Sequence, residues 1–168
     1  MTLIRYLAFV LLLVAPVAIG SVRAASADPQ PAEILIGIYK EAVKGATADW
    51  LEPKRRGHYL SKSLLALWAK SDAKKPPKGE EGAIDFDLTT DTNALDLKDF
   101  VIKTESRSDS AAVLTVKLIY REPYVHEGPP RVMRYEFIRE GSLWRIDDFH
   151  GLEWSVREIL TAWLKLPL

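Results

Sequence analysis

Asp148 and His150 are the residues whose types and spacing come nearest to doing chemistry in this chain. A carboxylate beside an imidazole can orient the ring and raise its basicity, the arrangement that proton abstraction in a closed pocket requires. Both lie at the end of the apolar run Trp144-Arg145-Ile146-Asp147-Asp148-Phe149-His150. Side chains alternate along a strand, so Trp144, Ile146, Asp148 and His150 are expected on one face and Arg145, Asp147 and Phe149 on the other. The first set would place the acid and the imidazole at the rim of the core that Trp144 and Ile146 enter. The plainer reading is that Asp148 caps or pairs with a loop while His150 stands exposed before Gly151. His150 and Asp148 are therefore candidates, and no residue is favoured as catalytic.

A second acidic pattern runs from Asp85 to Asp96, with acids at its first, third and twelfth places and Thr89 at the fifth. It echoes a calcium loop, but Thr90 stands where such a loop needs glycine, and Asp96 where glutamate is preferred. The reading is no metal: Ile84 and Phe86 anchor the segment, and its acids make Asx turns with nearby amides. Tyr39, Tyr59, Asp85 and Asp87 are candidate ligand-binding residues, with His58 beside them; the alternative for the aromatics is plain core. Tyr124 and His126 sit in a proline-containing loop, and loops carry recognition. With Trp154 they form the candidate partner-contact set. Linear signatures of serine hydrolases, zinc peptidases and phosphate-binding loops are absent from the sequence, and no cofactor is implied.

Compartment and class follow from composition. Arg5, the apolar run Leu7 to Ile19 and the small residues after it have the form of a secretory signal, with cleavage expected after Ala24 or Ala27. The run is shorter than the roughly 20 residues of a membrane-spanning helix, so no stable membrane anchor is expected after cleavage. The 168 residues include no cysteine, which excludes disulfides, thiol catalysis and thiolate metal sites. An exported domain of this kind must be held by its core, and a periplasmic or secreted bacterial location fits best. Charges balance at 23 basic and 23 acidic residues; removing Arg5 and Arg23 leaves the mature chain slightly negative, with no electrostatic reason to bind nucleic acid.

The elements that must position the candidates can be read in order. Residues 28–32 form a short lead-in to one domain spanning 33–168. Pro31 suits the first turn of a helix carrying Leu35, Ile38, Tyr39 and Ala42, with Gly45 at its end. Ser61 suits the N-cap of a second helix running to Ala73, with Leu64, Leu65 and Trp68 on one face. Lys54-Arg55-Arg56 reads as a solvated connector. Phe100 and Ile102, Leu114 to Tyr120, Met133 to Phe137 and Trp144 to His150 alternate as strands, the last two joined by a tight turn at Glu140-Gly141-Ser142. A closing helix is expected from about Leu152, with Leu152, Val156, Ile159, Leu160 and Trp163 as its apolar stripe and Trp154 nearly opposite. Trp154 is then either covered by a neighbouring segment or exposed for a partner. The class is α+β: N-terminal helices on a curved, mostly antiparallel sheet, with a C-terminal helix.

Tyr39, Tyr59-Leu60-Ser61, Ile84-Asp85-Phe86-Asp87, Tyr135 and Trp144-Arg145-Ile146-Asp147-Asp148, in that order, resemble a family of exported bacterial domains, domain-of-unknown-function family 3828. The resemblance covers roughly residues 33 to 163. It implies a cone-like fold similar to nuclear transport factor 2 and the SnoaL-like proteins, with a pocket, a catalytic cavity or a filled core inside. The family carries no established activity, so the resemblance implies no catalytic residue. The reading is an exported binding or accessory domain that is not an enzyme, with a small ligand or a periplasmic protein as partner. Its alternatives are a SnoaL-like hydrolase, isomerase or dehydratase using His150 and Asp148, or a periplasmic inhibitor or immunity-type protein.

Overall fold

The computed structural model describes residues 28–46, 48–76, 82–92, 96–121 and 130–167. The expected signal segment and the candidates Tyr124 and His126 lie outside the described residues. Helix α1, Pro31–Val43, opens on Pro31, and the Glu33 carboxylate accepts from the Gln30 amide at 2.8 Å. It stops as the glycine predicts. Gly45 adopts φ +98°, letting its own amide and that of Ala46 return to the carbonyls of Ala42 and Glu41. Helix α2, Lys62–Ala73, begins at the Ser61 cap, whose hydroxyl accepts from the Leu64 amide at 3.0 Å. Two single 3-10 turns, Asp49–Leu51 and Arg56–His58, carry the chain between the helices. Arg56 is not solvated there: it pairs with Asp72 and lies over the Trp68 ring at 5.2 Å, because its stem covers apolar surface.

Four strands follow: β1 (Leu97–Arg107), β2 (Ala111–Tyr120), β3 (Val132–Glu140) and β4 (Leu143–His150). They form one antiparallel sheet in the order β1-β2-β3-β4. The last hairpin turns at Gly141, whose φ of +65° is the left-handed conformation that the turn demands. Register shifts break the β1–β2 ladder near Asp99 and Ser106, and the β3–β4 ladder after Glu136, and the sheet is curved. Leu35 and Tyr39 from α1, Leu64 from α2, and Leu114, Val116, Tyr135, Phe137, Trp144 and Ile146 from the sheet are fully buried between helices and sheet.

Helix α3, Val156–Lys165, closes the chain against α2 and β4. It starts four residues later than the stripe suggested. Ser155 is its cap, accepting from the Glu158 amide at 3.3 Å, and the Gly151 amide turns back to the Trp154 carbonyl at 3.1 Å. Those bonds make 151–154 a tight return, so Leu152 stands 65% exposed instead of joining the stripe. Val156, Leu160 and Trp163 are the residues that α3 buries.

Candidate functional site

Strict alternation along β4 fails at Asp147. Glu136 faces Asp148 and Phe137 faces Ile146, so Asp147 is an extra residue, a bulge. Beyond it the faces exchange. Phe149, expected opposite the core, is fully buried and stacks on Tyr135 with ring centroids 5.6 Å apart. Asp148 and His150 consequently leave the core side. They remain neighbours, with His150 Nε2 3.6 Å from Asp148 Oδ2.

Asp148 is taken up by α3. Its carboxylate accepts from the Ser155 hydroxyl at 2.7 Å, the Phe149 amide at 2.9 Å and the Arg157 amide at 3.2 Å. It therefore holds the first turn of α3, where a negative charge also meets the positive end of the helix. Asp147 does the same work one residue earlier, accepting from Ser61 Oγ and Arg157, each at 2.6 Å. The two acids of the bulge thus tie the starts of α2 and α3 to the end of β4. His150 Nε2 lies 3.2 Å from Glu136 and 3.4 Å from Arg134, on the side of the sheet away from the core. Partial burial works to raise the Glu136 carboxyl, but Arg134 and His150 outweigh it and hold it below the ordinary carboxylate value.

The core side of the sheet is packed with buried aromatic side chains. Tyr39 and Tyr135 share a hydroxyl hydrogen bond of 2.8 Å, and the Tyr39 hydroxyl lies 3.0 Å from the Thr89 carbonyl that it bonds. The Trp50 indole donates to Thr89 Oγ1 at 2.8 Å and packs on Phe149. Burial, with Tyr135 and its hydrogen bond adding to it, holds the Tyr39 phenol well above its usual range. Burial raises Tyr135 too, although its bond with Tyr39 works the other way.

Residues 85–92 close this interior as a plug. Asp87 accepts from the amides of Thr89 and Thr90 at 2.7 and 3.0 Å, the Asx turn expected of it, while Ile84 and Phe86 pack against the core. Tyr120 donates to the Thr90 carbonyl at 2.8 Å, and burial pushes its phenol up to about 12 against the pull of Arg131. Asp91, at φ 56°, is held from two sides. Arg131 bonds its carboxylate at 3.0 Å and the Trp154 indole donates to it at 2.6 Å. Trp154 is thus covered by the plug, half-buried between Phe86 and Phe149.

Of the ligand candidates, Tyr39 and Asp87 are close enough for the Asp87 charge to help raise the Tyr39 phenol. Tyr39 is in the core and Asp87 in the plug, while Asp85 is exposed. Tyr59 packs edge-on to Trp50, and with His58, Ile34, Gly37 and Trp144 it lines a shallow cleft of about 300 Å³ beside α1. Among the described residues, no group of acids and histidines is placed to hold a metal ion.

A cleft of about 460 Å³ lies elsewhere, between α2, residues 82–88, the first 3-10 turn and α3. Leu51, Trp68, Ile84, Phe86, Leu88 and Leu160 give it an apolar lining, with Ser71, Asp72 and Lys74 at the lip. Both lip charges are already engaged. Asp72 pairs with Arg56, and Lys74 Nζ donates to the carbonyls of Trp163 and Leu166. Sequence reasoning missed this cleft because four separate segments build it. It also missed Ser155, although Ser155-Val156-Arg157-Glu158 before an apolar run is the signature of a capped helix start. No family model, no curated protein and no solved structure matches this chain.

Proposed function

We propose that this chain is an exported binding domain that takes a small, largely uncharged apolar ligand in the cleft between α2, residues 82–88 and α3. The observation that carries the reading is the tightly packed, plugged interior beside an open apolar cleft whose lip carries one paired acid, Asp72, and one lysine, Lys74, hydrogen-bonded to carbonyls. The cleft falls within the roughly 300–1,000 Å³ typical of small-ligand sites. Asp72 is paired with Arg56 and Lys74 is hydrogen-bonded to two carbonyls, so the apolar lining is the larger part of what the cleft offers a ligand. The signal-like N-terminus supports export, and helices backed onto a curved antiparallel sheet support placement on the cone-like plan of nuclear transport factor 2 and the SnoaL-like proteins.

Asp148 acting as a helix anchor, and His150 lying outside the interior, weigh against an acid–base site at the end of β4. The test is titration of the mature chain with the uncharged dye N-phenylnaphthylamine, followed by its fluorescence. Saturable binding that disappears when Ala83→Trp fills the cleft is the expected result. No saturable binding, or binding that survives Ala83→Trp in a folded protein, would overturn the proposal.

A further inference from the structure

The two edges of the sheet are treated differently. Outside β4 the chain covers its own edge: the Ser61 amide donates to the Ile146 carbonyl, the Ile146 amide donates to the Tyr59 carbonyl, and Ser155 bridges His150. β1 has no such cover among the described residues, and it is the longest strand of the sheet at 11 residues.

The direction of its free backbone groups follows from the ladder. The Leu118 amide bonds the Arg131 carbonyl on the β3 side at 2.9 Å. In an antiparallel ladder a residue's N–H and C=O point the same way, so the partner of Leu118 across β1, Phe100, directs its own groups away from β2. Phe100 and Ile102 therefore present the open edge. The Asp99 carboxylate sits on the Phe100 amide at 2.8 Å, satisfying a donor that a further strand would take.

We propose that β1 is an association edge for a second copy of this chain, paired antiparallel about a two-fold axis through Val101. In that register Phe100 faces Ile102 of the partner copy, and each pair exchanges its N–H···O bonds once Asp99 releases the Phe100 amide and Lys103 its exposed pair with Glu105. Val101, 53% exposed, meets its own copy. Asp99 meets Lys103 on both sides of the axis, and these are close, non-hydrogen-bonded positions where side chains touch. Neighbouring registers lose this match. Centring on Ile102 sets Asp99 against Glu105, and centring on Phe100 sets Asp99 against Val101. Parallel pairing in register sets each charge against itself. The alternating charges that blunt an edge against strangers are self-complementary in one alignment. A seam this narrow falls short of the roughly 1,600 Å² of a standard interface, so the dimer is weak and concentration-dependent.

The experiment uses the absence of native cysteine. Val101→Cys in the mature chain, mildly oxidised, is expected to give a disulfide-linked dimer, while Val132→Cys, exposed on the interior strand β3, gives none. Sedimentation velocity of the cysteine-free chain should show a dimer growing with concentration. Asp99→Lys and Lys103→Asp should each weaken it about tenfold, since two opposite-charge pairs become like-charge pairs, and the double exchange should restore it. Circular dichroism checks that each variant is folded. A monomer at every concentration with no Val101→Cys disulfide overturns the proposal. A dimer indifferent to the single exchanges, or not restored by the double one, overturns this register.

Discussion

Raising the pH should unfold this protein through Tyr39 and Tyr135. Both phenols are fully buried and hydrogen-bonded to one another at 2.8 Å, and burial raises both above the ordinary tyrosine value. The unfolded chain loses those protons near pH 10, while the folded chain keeps them. Their stabilising effect is therefore fully present below about pH 10 and declines as pH climbs toward the folded values. Each such group removes about 1.4 kcal/mol per pH unit, so the pair removes about 2.7 kcal/mol per unit over that window, and Tyr120, raised to about 12, adds about as much as one of them up to that pH. A domain of ordinary stability, about 5–15 kcal/mol, is exhausted within a few pH units at that slope. The assay is urea unfolding at a series of alkaline pH values, with phenolate absorbance recorded alongside. Two tyrosines should ionise only as the fold is lost. Tyr39→Phe should cost about 1–2 kcal/mol at neutral pH, from the lost bonds to Thr89 and Tyr135, and lower the alkaline slope by about a third, since Tyr135 and Tyr120 still contribute. An unchanged slope in that variant, or full titration of the tyrosines in a folded protein, would refute the reasoning.

The bulge and the plug make further predictions. Asp148→Ala removes two hydrogen bonds at the start of α3 and one within β4 and should cost about 2–4 kcal/mol in urea unfolding, whereas His150→Ala should stay within about 0.5 kcal/mol. Gly151→Ala places a methyl 2.3 Å from the Trp154 indole nitrogen and 2.7 Å from Asp91 Oδ1. It should lower thermal stability by about 1–3 kcal/mol and alter the Trp154 environment in near-ultraviolet circular dichroism. Glu136, held below its usual value, contributes stability above the unfolded carboxylate range and loses it as pH falls through the folded value. Its side chain is 40% exposed, so screening keeps the contribution under about 1 kcal/mol, and Glu136→Gln should remove that small acid dependence from unfolding curves.

The legible parts of this fold were those with local causes. Pro31 and Gly45 bound α1, Ser61 starts α2 and Gly141 turns the last hairpin, each through bonds that close within a few residues. The α+β order of elements could be read for the same reason. What escaped was set by distant partners. The Asp147 bulge depends on pairing with β3 and on Ser61 and Arg157, and it moved Phe149 into the core and Asp148 out of it. Leu152 fitted the apolar stripe, yet the Ser155 cap and the Gly151 turn decided where α3 begins. Periodicity puts Trp154 on the closing helix, yet it lies in the return before α3, held by Asp91 more than sixty residues earlier. The candidate aromatics separated because Tyr39 lies on the buried face of α1 while Tyr59 precedes the α2 cap.

The central claim is that binding takes place outside the filled interior, and the most direct measurement is a nuclear magnetic resonance titration with N-phenylnaphthylamine. Saturable shifts are expected of the Trp68 indole and of the Ile84 and Leu160 methyl groups, with Tyr39, Tyr135 and Phe149 unmoved. Shifts centred on those three interior rings would mean that the ligand enters the curved sheet, and would contradict the account.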